Sequence, residues 1–320
     1  MYILVSIDTE EDMPEWKPQK KLSVKNIEFL PKINEMFYRH SIRPTYLVDK
    51  PVLKNDKTCR IIEKLSKTLI CEIGMHVHSW NTEPIMPEEL YGKATVLNLY
   101  SKEIQREKIT GYYNYFKDRL GFTPTSYRAG RYGITSETIS ILNDLEFLAD
   151  SSIAPHMDYS YYGAPNFRKY TYEPFWIKTT NLIEIPITIS LVTFLPHYFQ
   201  NIYFNIPDWT RIKGLFYQLK LARLIWLRPT TYSCKEMSSL VKYIICKESI
   251  PVFNIMFHSS ELFPGASPYN STKKDVEDFI NRLFKIINFL IKECGAKSLT
   301  LTEFAKFSKN LNYDYKTISF

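Results

Sequence analysis

The sequence predicts an α/β protein built as a distorted (β/α) barrel of seven or eight strands, and three observations carry that expectation. Short runs rich in Val, Ile, Leu, Tyr and Phe recur between longer stretches of helical period. At 320 residues the chain is long enough to close a barrel as one domain, 1–320, rather than spread into an open doubly wound sheet. Polar triplets and pairs stand where the apolar runs stop, and the carboxyl ends of buried strands are where such folds place their chemistry.

The elements follow in order. Tyr2-Ile3-Leu4-Val5-Ser6-Ile7 has the unbroken apolar character of a strand buried on both faces, giving a first strand at 2–8. A helix is expected between 24 and 40, kinked or begun by Pro31. Strands at 44–48 and 69–76 come next. A helix over 101–120 turns Ile104, Ile109, Tyr112 and Phe116 to the core and stops at Gly121. Strands are expected at 125–128, 147–150, 182–187 and 252–258. The clearest helix starts after Ser271-Thr272, carries Val276, Phe279, Leu283, Ile287 and Leu290 at three- and four-residue steps, and ends at Gly295. A last strand is expected at 298–302.

The stretch from about 155 to 231 breaks this rhythm and reads as an aromatic and basic insertion over the strand ends. Within it Arg211, Lys213, Lys220, Arg223 and Arg228 lie among Leu, Ile, Phe and Trp. Such a basic amphipathic segment either covers the barrel as a helix with its cations in water, or meets an anionic membrane face or a phosphate-bearing substrate.

Composition narrows the class. The chain is 45% hydrophobic and 15% aromatic, with a formal charge of +7 and no long basic run or zinc-finger spacing, which argues against a nucleic-acid binder. No apolar stretch reaches the length of a membrane span. Cys59, Cys71, Cys234, Cys246 and Cys294 are odd in number and contain no C-x-x-C pair, as suits reduced thiols. Met1 runs directly into a strand with no leader-like segment, so a cytoplasmic location is expected, with peripheral contact at the inner membrane face as an option.

Three clusters carry the chemistry. His76 and His78 are two apart on an extended strand and so face one side, and Asp8 and Glu10 share that relation. Two imidazoles and a carboxylate form a three-ligand site that suits catalytic zinc. His258 closes an apolar run and is followed by Ser259-Ser260-Glu261 and a Pro264-Gly265 turn, placing it at the rim. Ser259 and Ser260 lack a nucleophile elbow, which weighs against a serine hydrolase. His40, His156 and His197 are not expected to be ligands.

Taken together with Tyr127-Arg128 through Tyr132-Gly133 and Asp150-Ser151-Ser152, these motifs resemble, in order and over nearly the whole chain, the polysaccharide deacetylases of carbohydrate esterase family 4, the NodB-like fold. The phrases around His76 and His258 look like a cytoplasmic branch associated with surface-glycan biosynthesis. The sequence departs from the family in three places. The adjacent Asp-Asp becomes Asp8-Thr9-Glu10, the second histidine stands two residues after His76 with Trp80 in its usual place, and the third motif carries one extra residue, Gly130 or Arg131.

The resemblance implies a metal-dependent hydrolase that removes an acyl group, most simply acetyl, from an amino sugar. Asp8 would be the general base and His258 the general acid, with Arg128 and Asp150 tuning them and the Tyr132 backbone N–H meeting the oxyanion. A divalent cation, zinc foremost, would be held by Glu10, His76 and His78, with Asp8 as the alternative ligand. Trp80, Asn81, Arg131 and Glu261 would bind substrate, and a nucleotide-linked or lipid-linked sugar is the expected partner. A deformylase or other amidase on the same barrel, or a silent glycan-binding barrel, stays open at this point.

Overall fold

The computed structural model describes residues 1–18, 22–68, 70–87, 95–195, 198–207, 210–219 and 221–309. Leu69, Pro196, His197 and Lys220 lie outside the described residues. In chain order the strands are β1 Tyr2–Thr9, β2 Thr45–Val48, β3 Glu72–Val77, β4 Ser126–Ala129, β5 Ala149–Asp150, β6 Phe175–Trp176, β7 Ile183–Glu184, β8 Ile189–Thr193, β9 Ala222–Trp226, β10 Val252–His258 and β11 Lys297–Ser298. Seven of them, in the order β10-β1-β2-β3-β4-β5-β7, pair in parallel and curl into the barrel, with β6 antiparallel at the far edge.

Between β7 and β10 the ring closes without a ladder. The Thr188 N–H donates to Asn254 O at 3.1 Å, and the Asn254 N–H donates to Thr188 Oγ1 at 2.8 Å. The Asn254 side chain reaches Ser6, Ser151 and the Ile185 carbonyl and so stitches three strands and the seam together.

The helices form the outer layer: α1 Leu30–Arg39, α2 Lys50–Lys54, α3 Asp56–Ser66, α4 Lys102–Leu120, α5 Ser136–Asp144, α6 Tyr198–Asn205, α7 Ile212–Gln218, α8 Cys234–Ile245, α9 Lys273–Asn288 and α10 Leu301–Lys309. Pro31 sits in the first turn of α1, where its missing N–H costs nothing, so it begins the helix rather than kinking it. Ser101 caps α4, and Gly121, at φ 79°, ends it in the left-handed region that glycine tolerates. The α9 stripe buries Val276, Phe279, Leu283, Ile286 and Ile287 against the sheet.

The expected strand at 298–302 is corrected. Only Lys297 and Ser298 pair with β1, and α10 starts at Leu301. Thr300 and Glu303 form a reciprocal cap, with the Thr300 N–H on Glu303 Oε2 and the Glu303 N–H on Thr300 Oγ1. This T-x-x-E signal outweighs the β-like Ser-Leu-Thr-Leu composition. Leu301, Phe304 and Ala305 then pack with Leu4, Leu47, Ile183 and Val252, plugging the amino end of the barrel.

The expected basic helix at 211–228 is corrected as well. It divides into the short α7 and strand β9, which pairs antiparallel with β8 as a separate two-stranded sheet. Ala222-Arg223-Leu224-Ile225-Trp226 is bulky and apolar apart from Arg223, and its ladder with β8 wins over the amphipathic reading.

Candidate metal and catalytic site

The site is a product of register. Asp8 pairs with His258 across the β1–β10 ladder and His76 pairs with Arg128 across β3–β4, so all four stand at the carboxyl ends of adjoining strands. Along β1 the period of two carries Leu4 into the plug, Ser6 onto Asn254, Asp8 onto Arg128 and Glu10 to the mouth.

His76, His78 and Glu10 converge. Their ligand atoms all lie within 4.8 Å of one another. His78 Nε2 is 2.6 Å from Glu10 Oε2 and 3.0 Å from His76 Nε2. His76 Nδ1 is 2.9 Å from the Arg128 carbonyl, which only accepts, so Nδ1 carries the proton and Nε2 keeps its lone pair for the cluster. All three residues are buried, and Glu10 Oε1 has no hydrogen-bond partner. Burial would raise the Glu10 carboxyl, but His258, His76 and His78 outweigh it and hold the group well below the usual carboxylate range. An ionised, buried carboxylate with an orphaned oxygen beside two imidazole nitrogens fits a divalent cation, and this donor set suits zinc.

The second histidine is seated by the two sequence departures acting together. Trp80 stacks on His78 with ring centroids 4.0 Å apart and is itself fixed by Glu11, which accepts from Nε1 at 2.8 Å. On the other side, a Cβ at Gly130 would overlap His78 Nδ1 and lie 2.7 Å from the Val77 carbonyl. Buried Lys108 donates to the carbonyls of Ser79 and Thr82 at 2.9 Å each and pins the loop that carries Trp80.

Asp8 stands beside the cluster. Oδ1 accepts from Arg128 Nη1 at 2.6 Å, while Oδ2 lies 4.0 Å from His76 Nε2 and 3.8 Å from His258 Nε2. Burial pushes this carboxyl up, and Arg128, His76 and His258 more than offset that, leaving it below its ordinary value. Arg128 is fully buried and held by Ser6 Oγ, Ser151 Oγ and Ser151 O. His258 Nδ1 lies 2.9 Å from Glu261 Oε1, so Nε2 is the ring nitrogen turned to Asp8 and Glu10.

Three of the expected residues lie off the cavity lining. Asp150 does not line the cavity. Its Oδ1 accepts from Ser152 at 2.6 Å, and burial raises both it and its neighbour Glu184, while Arg128 takes its anchors from Ser6 and Ser151 instead. The alternation of extended backbone explains this, because Asp150 at the end of β5 and Ser151 just after it point to opposite sides. Asn81 is turned away from the cavity, donating to Glu11 Oε2 and Asp49 Oδ2. Glu261 is fully buried under His258 and binds Arg228, so it positions the imidazole rather than touching a substrate. Trp80, Arg131 and Tyr132 do line the cavity; Arg131 and Tyr132 adopt φ of 53° and 58°, a left-handed turn at the inserted residue.

The cavity over this floor measures about 540 Å³ and is walled by Trp16, Trp80, Tyr132, Tyr159, Trp226 and Tyr269. Arg228, which the sequence offers only as one cation of the basic segment, belongs to the site. Its Nη2 lies 2.8 Å from Glu261 Oε1 and 3.1 Å from His258 Nδ1, and its guanidinium faces Trp226 and Tyr269. A cation closing the apolar run Leu224-Ile225-Trp226-Leu227 just before Pro229 was the available signal. Trp16, 4.6 Å from the His258 ring, sits in a loop with no periodic signal.

Fold and site together define a (β/α)-barrel with a two-histidine, one-carboxylate cluster at its mouth that could hold a cation, on the architecture of the polysaccharide deacetylases. A protein from Parabacteroides distasonis named as a glycoside hydrolase/deacetylase superposes with a TM-score of 0.62 at 10% identity, covering 98% of this chain and 72% of that one. One from Mycobacterium smegmatis named as a polysaccharide deacetylase gives 0.53 at 12%, over 99% and 92%. A GH57 branching enzyme from Thermococcus kodakaraensis gives 0.56 at 9%, over 99% and 72%. These likenesses establish the NodB-like barrel expected from the sequence. No protein-family model and no curated protein matches the chain by sequence.

Proposed function

We propose that this protein is a metal-assisted amide hydrolase that removes an N-acyl group, most simply acetyl, from an amino sugar. The observation that carries the reading is the Glu10–His76–His78 cluster set between a buried Asp8–Arg128 pair and a His258 held by Glu261 and Arg228. The names of the two deacetylase-like structural neighbours agree with it.

A divalent cation in such a site supplies Lewis acidity toward the acyl carbonyl. The protein's own groups divide the proton work. Asp8 Oδ2 accepts the proton of the attacking water, kept ionised and fixed by Arg128 on its other oxygen. His258 Nε2, opposite Asp8, delivers a proton to the departing amine, and Glu261 on Nδ1 stabilises the charged imidazole meanwhile. The Tyr132 turn offers backbone to the oxyanion. The aromatic walls suit the apolar face of a sugar ring.

A phosphate-linked sugar, on a nucleotide or a lipid, is the substrate form we favour, in a bacterial surface polysaccharide or glycolipid pathway. Arg131 supports it, since it is half-buried on the cavity wall, lies over Trp80, donates to the Trp16 carbonyl, and has no carboxylate within ion-pair distance among the described residues.

The test joins elemental analysis to acetate release from N-acetylated sugar nucleotides and their lipid-linked counterparts. One divalent ion per chain is expected, lost with activity on chelation and in His76→Ala and His78→Ala. Asp8→Asn should keep the ion while turnover falls on the order of 10²- to 10⁴-fold. A chain that takes up no ion and releases no acyl group would be a binding barrel.

A further inference from the structure

The residues between β8 and β9 carry an apolar surface unlike the rest of the molecule. Phe194, Ile202, Ile212, Leu215, Leu219 and Leu221 are between 41% and 94% exposed. They are not leftovers of a missing core, because this excursion packs its own around Leu191, Tyr203 and Ala222, with Phe199, Phe204 and Phe216 against it. Arg211 is exposed, Lys213 and Arg223 are half-buried over the Tyr203 and Tyr217 rings, and Asp208 is the one carboxylate in the sequence from 189 to 228. Contiguous exposed apolar surface marks an interaction site. Its excess of cations over carboxylates, with Glu236 beside Tyr217 and Arg223 as a partial counterweight, says what kind. A second copy of the same face would set like charges together, whereas an anionic lipid surface offers both the charge and the apolar depth that this face lacks.

Position adds a further argument. β8 follows β7 out of the carboxyl end of the barrel, the end that holds Asp8, His76 and His258, and the foot of β9 supplies Trp226 and Arg228 to the cavity region. An apolar face on this excursion therefore stands beside the cavity mouth. We infer that the 194–221 excursion docks the protein on an anionic membrane surface and presents the cavity to substrates held there. No helix among the described residues is long and apolar enough to cross a membrane, so the contact is interfacial. The inference does not depend on the amide chemistry.

Vesicle sedimentation of the full chain tests it, with phosphatidylcholine alone and with phosphatidylcholine enriched in phosphatidylglycerol. Binding is expected to the anionic vesicles and to weaken with salt. Replacing Arg211, Lys213 and Arg223 together with Gln should weaken it on the order of 100-fold, at about fivefold per cation. Leu215→Ser with Leu219→Ser should weaken it comparably while leaving turnover of a water-soluble substrate unchanged. Native protein that ignores anionic vesicles overturns the inference, as does binding indifferent to both sets of substitutions. A concentration-dependent dimer in sedimentation velocity, dissolved by the Leu substitutions, would give the face to a second copy instead.

Discussion

At the residue scale the site turns on small substitutions whose effects are geometric. Gly130 is the clearest. It lies in the stretch of its motif that carries one extra residue, Gly130 or Arg131, and the space its missing Cβ leaves is occupied by the His78 ring. The H-x-H spacing and the extra residue, two separate irregularities in the sequence, are one adjustment in space. Gly130→Ala should push His78 off the cluster and lower cation affinity by about 10- to 100-fold, the range found when groups behind a ligand are disturbed. Competition with a metal indicator on the intact protein reads this directly, and unchanged affinity would free His78 from dependence on Gly130. Glu261 yields a pH-dependent prediction. Burial would raise its carboxyl, but Arg228 and His258 bring it down to about 2 from an ordinary 4.5. A folded value below the unfolded one stabilises the protein above about pH 4.5, by about 3 kcal/mol, and that stabilisation disappears as pH falls through about 2. The unfolding free-energy gap between native protein and Glu261→Gln should therefore narrow from neutral pH toward pH 2, and a constant gap would show that the pair contributes no pH-dependent stability. The convergence of Glu10, His76 and His78 was legible in the sequence because strand alternation places them. The place of Arg228 in the site and the supporting role of Glu261 were not, since both depend on the insertion folding back over β10.

At the element scale, legibility followed the strength of local signals. Helices with caps and long apolar stripes, α4 and α9, stand where their patterns put them. The errors fell where two local signals compete. Residues 298–302 have the β-branched and apolar composition of a strand, but a cap at Thr300 and a barrel end in need of a plug turn them into α10. Thr300→Ala should cost about 1 kcal/mol by removing that cap, measured as a lowered urea midpoint. Activity should hold, because α10 closes the end of the barrel opposite the chemistry. A midpoint that does not move would mean that the plug's packing alone sets the helix start. The insertion failed for a different reason. Two of its strands, β6 and β7, join the barrel sheet, while β8 and β9 are short and pair with each other, so neither helical nor βα rhythm could reveal them.

At the scale of the whole molecule, the barrel is layered along its axis, and the layers explain why one network serves both closure and chemistry. The α10 plug fills the amino end, the cation site occupies the mouth, and between them lies a buried polar belt of Ser6, Arg128, Ser151 and Asn254. Asn254 closes the seam that no strand ladder spans. The same Ser6 and Ser151 hydroxyls that it binds also receive Arg128, whose other nitrogen holds Asp8. Asn254→Ala should leave the Ser6 hydroxyl without its acceptor in the interior, while Ser151 still bonds the Ile185 carbonyl, costing about 1–3 kcal/mol by urea unfolding, as expected for one unsatisfied buried group. Because the belt positions Arg128, it should also lower kcat in protein that is still folded, with KM nearly unchanged, since nothing in the cavity wall is removed. Adding the Asn254→Ala change to Asp8→Asn should then slow turnover little further, because both act through the same carboxylate. Independent, multiplying losses would instead separate the seam from the catalytic base and make Asn254 a matter of stability alone.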